Sequence, residues 1–72
     1  MTELGQYLTK KSVNKALVSR RTGISESRLS QLSSNESTQL RVKELYLIAL
    51  AIDVSPCEIL MEVCIDIKLE SK

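Results

Sequence analysis

The chain has 72 residues, enough for one small domain, and its 43% hydrophobic and 26% charged residues give a globular rather than a disordered composition. It contains no His and only two Gly, which argues against imidazole catalysis and glycine-rich phosphate loops, so we expect no enzyme. The net charge is only +1, but residues 10–43 carry eight basic and two acidic side chains, whereas residues 44–72 carry two and six, which predicts a polyanion-facing first half.

Hydrophobic spacing and capping residues predict five short helices, so the fold class is all-α. The first helix is expected over residues 2–11, with Thr2 as its N-cap. The second is expected over residues 15–21, with Asn14 as the cap whose side chain accepts hydrogen bonds from the first-turn amides. Gly23 then permits the left-handed backbone that ends a helix in a tight turn.

The third helix is predicted over residues 26–33 after the cap residue Ser25, and a polar loop follows it. The fourth, over residues 42–52, places apolar side chains at the spacing of one buried stripe. The fifth begins with Ser55-Pro56-Cys57-Glu58, where Ser caps, Pro occupies the first turn and Glu58 completes a capping box. The side chains assigned to the core are Leu8, Val13, Val18, Ile24, Leu29, Leu32, Leu45, Ile48, Ile52, Val54 and Leu60.

The C-terminal segment has a different pattern, because apolar residues occupy every odd position from 63 to 69. This alternation favours a β-strand over residues 63–70, although several of these side chains also fit the stripe of a continued fifth helix. We therefore divide the chain into a helical domain, residues 1–62, and a strand or tail, residues 63–72. An exposed strand edge is a template for pairing, so this segment is predicted to dimerise the protein. The dimerisation residues are Val63, Ile65, Ile67 and Leu69.

Nothing in the sequence indicates a membrane or an export signal. The longest apolar run, residues 45–52, is far shorter than a membrane span, and the N-terminus lacks the apolar stretch of a secretory signal. We therefore expect a cytoplasmic protein in which Cys57 and Cys64 stay reduced. Two cysteines without His are too few for a structural zinc site, so we expect no metal and no cofactor.

Two stretches carry a family resemblance, VNKALVSRRTGISESRLSQLSSN and LYLIALAIDVSPCEIL. The first has a small residue, Ser19, followed four residues later by Gly23 and then by Ile-Ser. On these residues the chain resembles the Cro and phage-repressor type of helix-turn-helix domain, the XRE family, over about residues 4–62. The resemblance implies a five-helix repressor-like fold. The chain departs from the family pattern at Lys15, where Gln is usual, and at Asn35, where Gly is common and where we expect a left-handed backbone.

The resemblance also implies that the third helix enters the major groove of double-stranded DNA. Gln31 could then pair bidentately with adenine, Glu26 could accept from cytosine, and Arg28 could read guanine or hold a phosphate. Lys15, at the start of the second helix, is placed beside the DNA backbone. The DNA-binding residues that the resemblance implies are Asn14, Lys15, Ser25, Glu26, Ser27, Arg28, Ser30, Gln31 and Asn35.

The predicted function is sequence-specific DNA binding by a small transcriptional regulator that acts as a homodimer on an inverted-repeat operator. Two alternatives stay open at this point. The chain could be an antitoxin that binds DNA and also caps a toxin partner, or a protein-interaction module built on the same fold.

Overall fold

The computed structural model describes residues 1–69, and within them the chain forms five helices and no strand. They are α1 (Glu3–Lys10), α2 (Lys15–Thr22), α3 (Glu26–Ser34), α4 (Val42–Ala51) and α5 (Pro56–Val63). The five predicted helices are confirmed, and the first four begin and end within one residue of their predicted bounds. The helix α1 packs against α3 and α5, α2 packs against α3 and α4, and α4 packs against α5.

Short polar side chains begin four of the helices, as the sequence indicated. The Oγ1 of Thr2 accepts from the amide of Gly5, and Asn14 Oδ1 accepts from two amides in the first turn of α2. Ser25 and Ser55 cap α3 and α5 in the same way. These bonds satisfy amides that have no partner inside the helix. At α5 the predicted capping box is not formed by Glu58, whose carboxylate accepts from the hydroxyl of Tyr7 instead.

The core is aliphatic except for Tyr7, as a chain without Phe and Trp requires. Its centre is formed by three fully buried side chains, one each from α3, α4 and α5: Leu29, Ile48 and Ile59. The other predicted core side chains that precede α5, in the first four helices and in the turns after them, are buried or packed partly buried against this cluster. The prediction of the core is therefore confirmed for the first four helices.

The prediction for α5 was wrong by one residue. Leu60 was assigned to the core, but it is 48% exposed, whereas its neighbour Ile59 is completely buried. Successive side chains of a helix are about 100° apart around its axis. An error of one residue therefore assigns the wrong face of α5 to the core. The direction is set by packing against α1 and α4, because Ile59 lies in the core and Val63, one helical turn later, is partly buried against it.

The predicted C-terminal strand is not supported. Val63 is the last residue of α5, the amide of Cys64 donates to the carbonyl of Leu60, and residues 64–66 form a turn. Ile65, Ile67 and Leu69 are exposed. A strand needs a neighbouring strand for its backbone groups, and the helices of residues 1–69 provide none, so the local helical bonds prevail. Glu70, the last residue of the predicted strand, lies outside the described residues, as do the last two residues of the tail.

Thr2 binds the N-terminus of the chain to the end of α3 through three hydrogen bonds. The amide of Thr2 donates to the carbonyl of Ser33 at 2.9 Å, and Thr2 Oγ1 lies 2.7 Å from the carbonyl of Leu32 and 3.1 Å from that of Ser33. Gly5 is buried directly against the carbonyl of Ser33. The close approach of α1 to α3 therefore depends on a residue without a side chain at position 5.

Tyr7, Glu58 and Lys11 join α1 to α5. The hydroxyl of Tyr7 donates to Glu58 Oε2, and Lys11 Nζ lies 3.6 Å from the same oxygen and 5.7 Å from the centre of the Tyr7 ring. Burial of Tyr7, together with the adjacent carboxylate, raises the pKa of its phenol from 10.0 to about 12. The hydrogen bond from Tyr7 and the charge of Lys11 lower the pKa of Glu58 against the opposing effect of desolvation.

Titration of the phenol tests this arrangement. We expect Tyr7 to ionise near pH 12, and because its pKa is raised by folding, the stability it contributes is present below pH 10 and lost as the pH rises through 12. The near-ultraviolet absorbance of the phenolate, recorded in a Tyr46→Phe background, measures the pKa directly. Glu58→Gln should lower it by removing the neighbouring negative charge. An unchanged pKa in that variant would contradict the contact.

Candidate nucleic-acid interface

A tight turn connects α2 to α3 and sets the direction in which the chain enters α3. Gly23 adopts a left-handed backbone with φ of 80°, and its amide donates to the carbonyl of Ser19 at 2.9 Å. Thr22 Oγ1 donates to the carbonyl of Val18 and accepts from the amide of Ile24, whose side chain packs partly buried against the core. Ser25 then caps α3. This helix, turn and helix give the geometry expected of a DNA-binding helix-turn-helix unit.

The two faces of α3 differ sharply. Leu29 and Leu32 are 1% and 3% exposed and form its inner face. The outer face is polar and at the surface, and its members recur at helical spacing: Glu26, Ser27, Ser30, Gln31, Ser34 and the cap residue Asn35. Five of them line one shallow depression: Ser27, Ser30, Gln31, Ser34 and Asn35. The structure therefore brings together most of the predicted base-reading side chains on one exposed strip.

Arg28 is the exception among the predicted contacts of α3. Its Nε and Nη2 each lie 2.9 Å from an oxygen of Glu44, and Nη2 also donates to the carbonyl of Gln39 at 2.8 Å. The guanidinium thus binds α4 and the loop before it. The hydrogen bonds from Arg28 lower the pKa of Glu44 below its usual value despite burial, and the amide of Arg41 adds to this effect. We therefore leave Arg28 out of the DNA contacts proposed below.

Asn35 also differs from its expectation. Its backbone is extended, with φ of −101°, and not left-handed as predicted. Its Oδ1 instead accepts from the amide and the hydroxyl of Ser37, at 3.0 and 2.7 Å, which turns the chain away from α3 without a positive φ. Its Nδ2 lies 3.5 Å from Gln31 Oε1, so the two amides are neighbours on the outer strip.

The N-terminus of α2 holds the other predicted contacts. Asn14 Oδ1 accepts from the amides of Ala16 and Leu17 at 2.9 and 3.2 Å, so the cap uses its oxygen and leaves the NH₂ group available. Lys15 follows at the first position of the helix and is half-buried. An ammonium group beside a helix N-terminus suits a phosphate. The predicted role of both residues is not tested by these contacts and stays a prediction.

The sequence reasoning missed Ser34, which lies beside Gln31 and Asn35 in the depression. It follows Ser27 by seven residues and Ser30 by four, so helical spacing would have found it had the third helix been extended by one residue.

Arg21 is a basic residue that binds within the domain, because its Nη1 donates to the carbonyl of Ala51 at 2.7 Å, at the end of α4. That cation binds the domain itself.

A comparison with protein-family models settles what kind of unit this is. Residues 3–63 match the model of the Cro/C1-type HTH DNA-binding domain. The chain belongs to this family. No curated protein and no solved structure matches it. The resemblance to the Cro and phage-repressor type is thereby confirmed, and DNA is the partner that the family supports. Within residues 1–69, the structure contains no helix long and apolar enough to cross a membrane.

Proposed function

We propose that this Cro/C1-type protein is a transcriptional regulator that reads a specific double-stranded DNA sequence through the outer face of α3 and binds as a homodimer. The observation that carries the proposal is the exposed polar strip of α3, which follows directly on the helix-turn-helix turn. A helix presented in this way can enter the major groove, where hydrogen-bonding side chains distinguish the base pairs.

The side chains of the strip suggest how the sequence would be read. Gln31 offers one donor and one acceptor and can bind adenine bidentately, whereas Glu26 only accepts and suits the amino group of cytosine. Ser27 and Ser30 can donate or accept. Asn14 and Lys15 at the start of α2 supply phosphate contacts that fix the position of α3. We assign Ser25 and Asn35 to the edge of this surface, since their side chains already bind α3 and the loop after it.

Selection of bound duplexes from a random library, at about physiological salt, tests the proposal. We expect an enriched inverted repeat whose half-sites are about one helical turn apart. Binding should weaken with salt at a log–log slope of about −0.9 for each phosphate neutralised. Failure to enrich any sequence, together with no band shift at low salt, would reject DNA binding and favour a protein-interaction module.

Gln31→Ala tests the assignment of the strip. Affinity for the selected site should fall by about 1–3 kcal/mol for each half-site, and discrimination should be lost at one base position only. Gln6→Ala, which removes the same amide from the exposed side of α1, is the matched control and should leave the selected sequence unchanged. An equal loss on every sequence in the Gln31 variant would show that the residue does not read a base.

A further inference from the structure

Asn35 is held in place by the end of α3 and by the loop that follows it. Its amide donates to the carbonyl of Gln31 at 2.9 Å, and its carbonyl accepts from the amide of Thr38 at 3.0 Å. Its side-chain Oδ1 accepts from the amide of Ser37 at 3.0 Å and from the hydroxyl of Ser37 at 2.7 Å. These bonds fix the backbone and the side chain of a residue that lies one helical turn after Gln31.

The orientation of two side-chain amides follows from the backbone of Ser37. A backbone N–H group can only donate, so the atom of Asn35 that faces it must be Oδ1, and Nδ2 lies at the other end of the amide. Nδ2 is 3.5 Å from Oε1 of Gln31. An NH₂ group also only donates, so the atom of Gln31 that faces it must be the oxygen. The NH₂ group of Gln31 is therefore directed away from Asn35.

This contact acts on the direction of the Gln31 amide more than on stability. A distance of 3.5 Å is long for a hydrogen bond, and the pair is exposed, so it contributes little to folding. Reversing the Gln31 amide would place its NH₂ group against that of Asn35, and two donors would meet. The cost of such a contact rises when DNA covers it, because water no longer supplies the missing acceptors.

We propose that Asn35 is a positioning residue, which fixes the direction of the Gln31 amide and thereby makes α3 favour adenine over guanine at the base pair that Gln31 reads. The inference rests on the proposed function, in which the outer face of α3 reads DNA. It gives Asn35 a role through Gln31 rather than through a DNA contact of its own.

The major-groove edges of the two purines differ at the group on C6. Adenine presents the acceptor N7 and the donor N6, whereas guanine presents two acceptors, N7 and O6. An amide held with Oε1 toward N6 and Nε2 toward N7 matches adenine, and Oε1 has two lone pairs, one for N6 and one for Asn35. Against guanine the same amide places Oε1 opposite O6, so two acceptors meet. An amide free to reverse would relieve this contact by donating from Nε2 to O6.

The ratio of affinities for two duplexes tests the inference. Both carry the sequence that the wild-type protein selects, and they differ only in having adenine or guanine, in one half-site, at the position where Gln31→Ala loses discrimination. The wild type should prefer adenine. Asn35→Ala should lower the ratio of adenine to guanine affinity by about two- to tenfold, the range expected for one hydrogen bond, and should leave the preferences at the other positions unchanged.

Asn35→Asp keeps the turn after α3, because it retains the oxygen that Ser37 binds and replaces only the NH₂ group. The second acceptor attracts Nε2 of Gln31 and reverses the amide, so the ratio should fall at least as far as in Asn35→Ala. The added negative charge weakens binding to both duplexes alike and cancels in the ratio. Ser34→Ala is the matched control and should not change the ratio, since Ser34 lines the same depression without a side-chain bond to Gln31 among the described residues.

A double variant separates positioning from direct contact. In a Gln31→Ala background, Asn35→Asp should leave the ratio unchanged, because no amide remains to be positioned. A ratio that still falls there would show that Asn35 contacts the base itself and would overturn the inference. It would be overturned equally by an unchanged ratio in both single variants, by a wild type that prefers guanine, or by losses spread over several positions. If the wild type still selects an inverted repeat, those outcomes leave the proposed function standing, whereas a wild type that selects no sequence rejects both.

Discussion

Gly5→Ala is expected to destabilise the domain by about 3 kcal/mol, a large part of the total stability of a chain this small. A Cβ at position 5 would lie 2.1 Å from the carbonyl oxygen of Ser33 and 2.9 Å from its carbonyl carbon. Both are backbone atoms, and α3 cannot move away without breaking the bonds that Thr2 makes to the same segment. Helix propensity alone predicts the opposite sign, a gain of about 1 kcal/mol from Gly to Ala.

Chemical denaturation of the variant measures this effect, and two substitutions serve as controls. Gly23→Ala introduces the same methyl group where no atom lies within 4 Å, so it should cost only the strain of a positive φ, about 1 kcal/mol. Gln6→Ala, on the exposed side of α1, should change stability by less than about 0.5 kcal/mol. If Gly5→Ala were neutral or stabilising, the tight contact between α1 and the end of α3 would be wrong.

Arg28→Met is the second substitution with a large expected effect, a clear loss of stability in chemical denaturation. The side chain of Glu44 is only 11% exposed, and the variant leaves its carboxylate buried with the Arg41 amide as its remaining partner among the contacts described above. The loss comes from that unpaired charge rather than from the attraction of the pair itself. Replacing both partners, as Arg28→Met with Glu44→Leu, should therefore recover most of the stability.

The pH dependence of unfolding gives an independent measure of the same pair. Because the pKa of Glu44 is lowered in the folded protein, its stabilisation is present above the ordinary value of 4.5 and is lost as the pH falls through the folded pKa. The wild type should therefore lose stability on acidification more steeply than Arg28→Met. An equal acid sensitivity in the two proteins, or full stability of Arg28→Met at neutral pH, would contradict the structural role of this arginine.

Features that depend on neighbouring residues were predictable from the sequence of this protein. Thr2, Asn14, Ser25 and Ser55 act within their own first turn, and this is why the helix starts were predictable from neighbouring residues. The turn at Gly23 was equally local. The outer strip of α3 followed from the same periodicity, because the positions of Leu29 and Leu32 determine which side chains point outward.

The errors concern contacts between segments distant in the chain. The pairing of Arg28 with Glu44, sixteen residues away, was not foreseen, because nothing near Arg28 in the sequence reveals it. Glu58 was assigned to a capping box, but Tyr7, fifty-one residues earlier, donates to it. The alternation after residue 62 was interpreted as a strand, although the described part of the chain offers it no neighbouring strand.

The sequence by itself determined the five helices, the N-caps of four of them, the turn before α3 and membership of the Cro/C1-type family, because each depends on residues within a few positions of one another. Only the tertiary structure decided which face of α5 is buried, that Arg28 serves the domain, and that Gly5 is required rather than merely tolerated. Those features depend on the packing of helices distant in sequence. A shift of one position decides whether Ile59 or Leu60 is buried, and one backbone oxygen, that of Ser33, decides whether position 5 can hold a side chain.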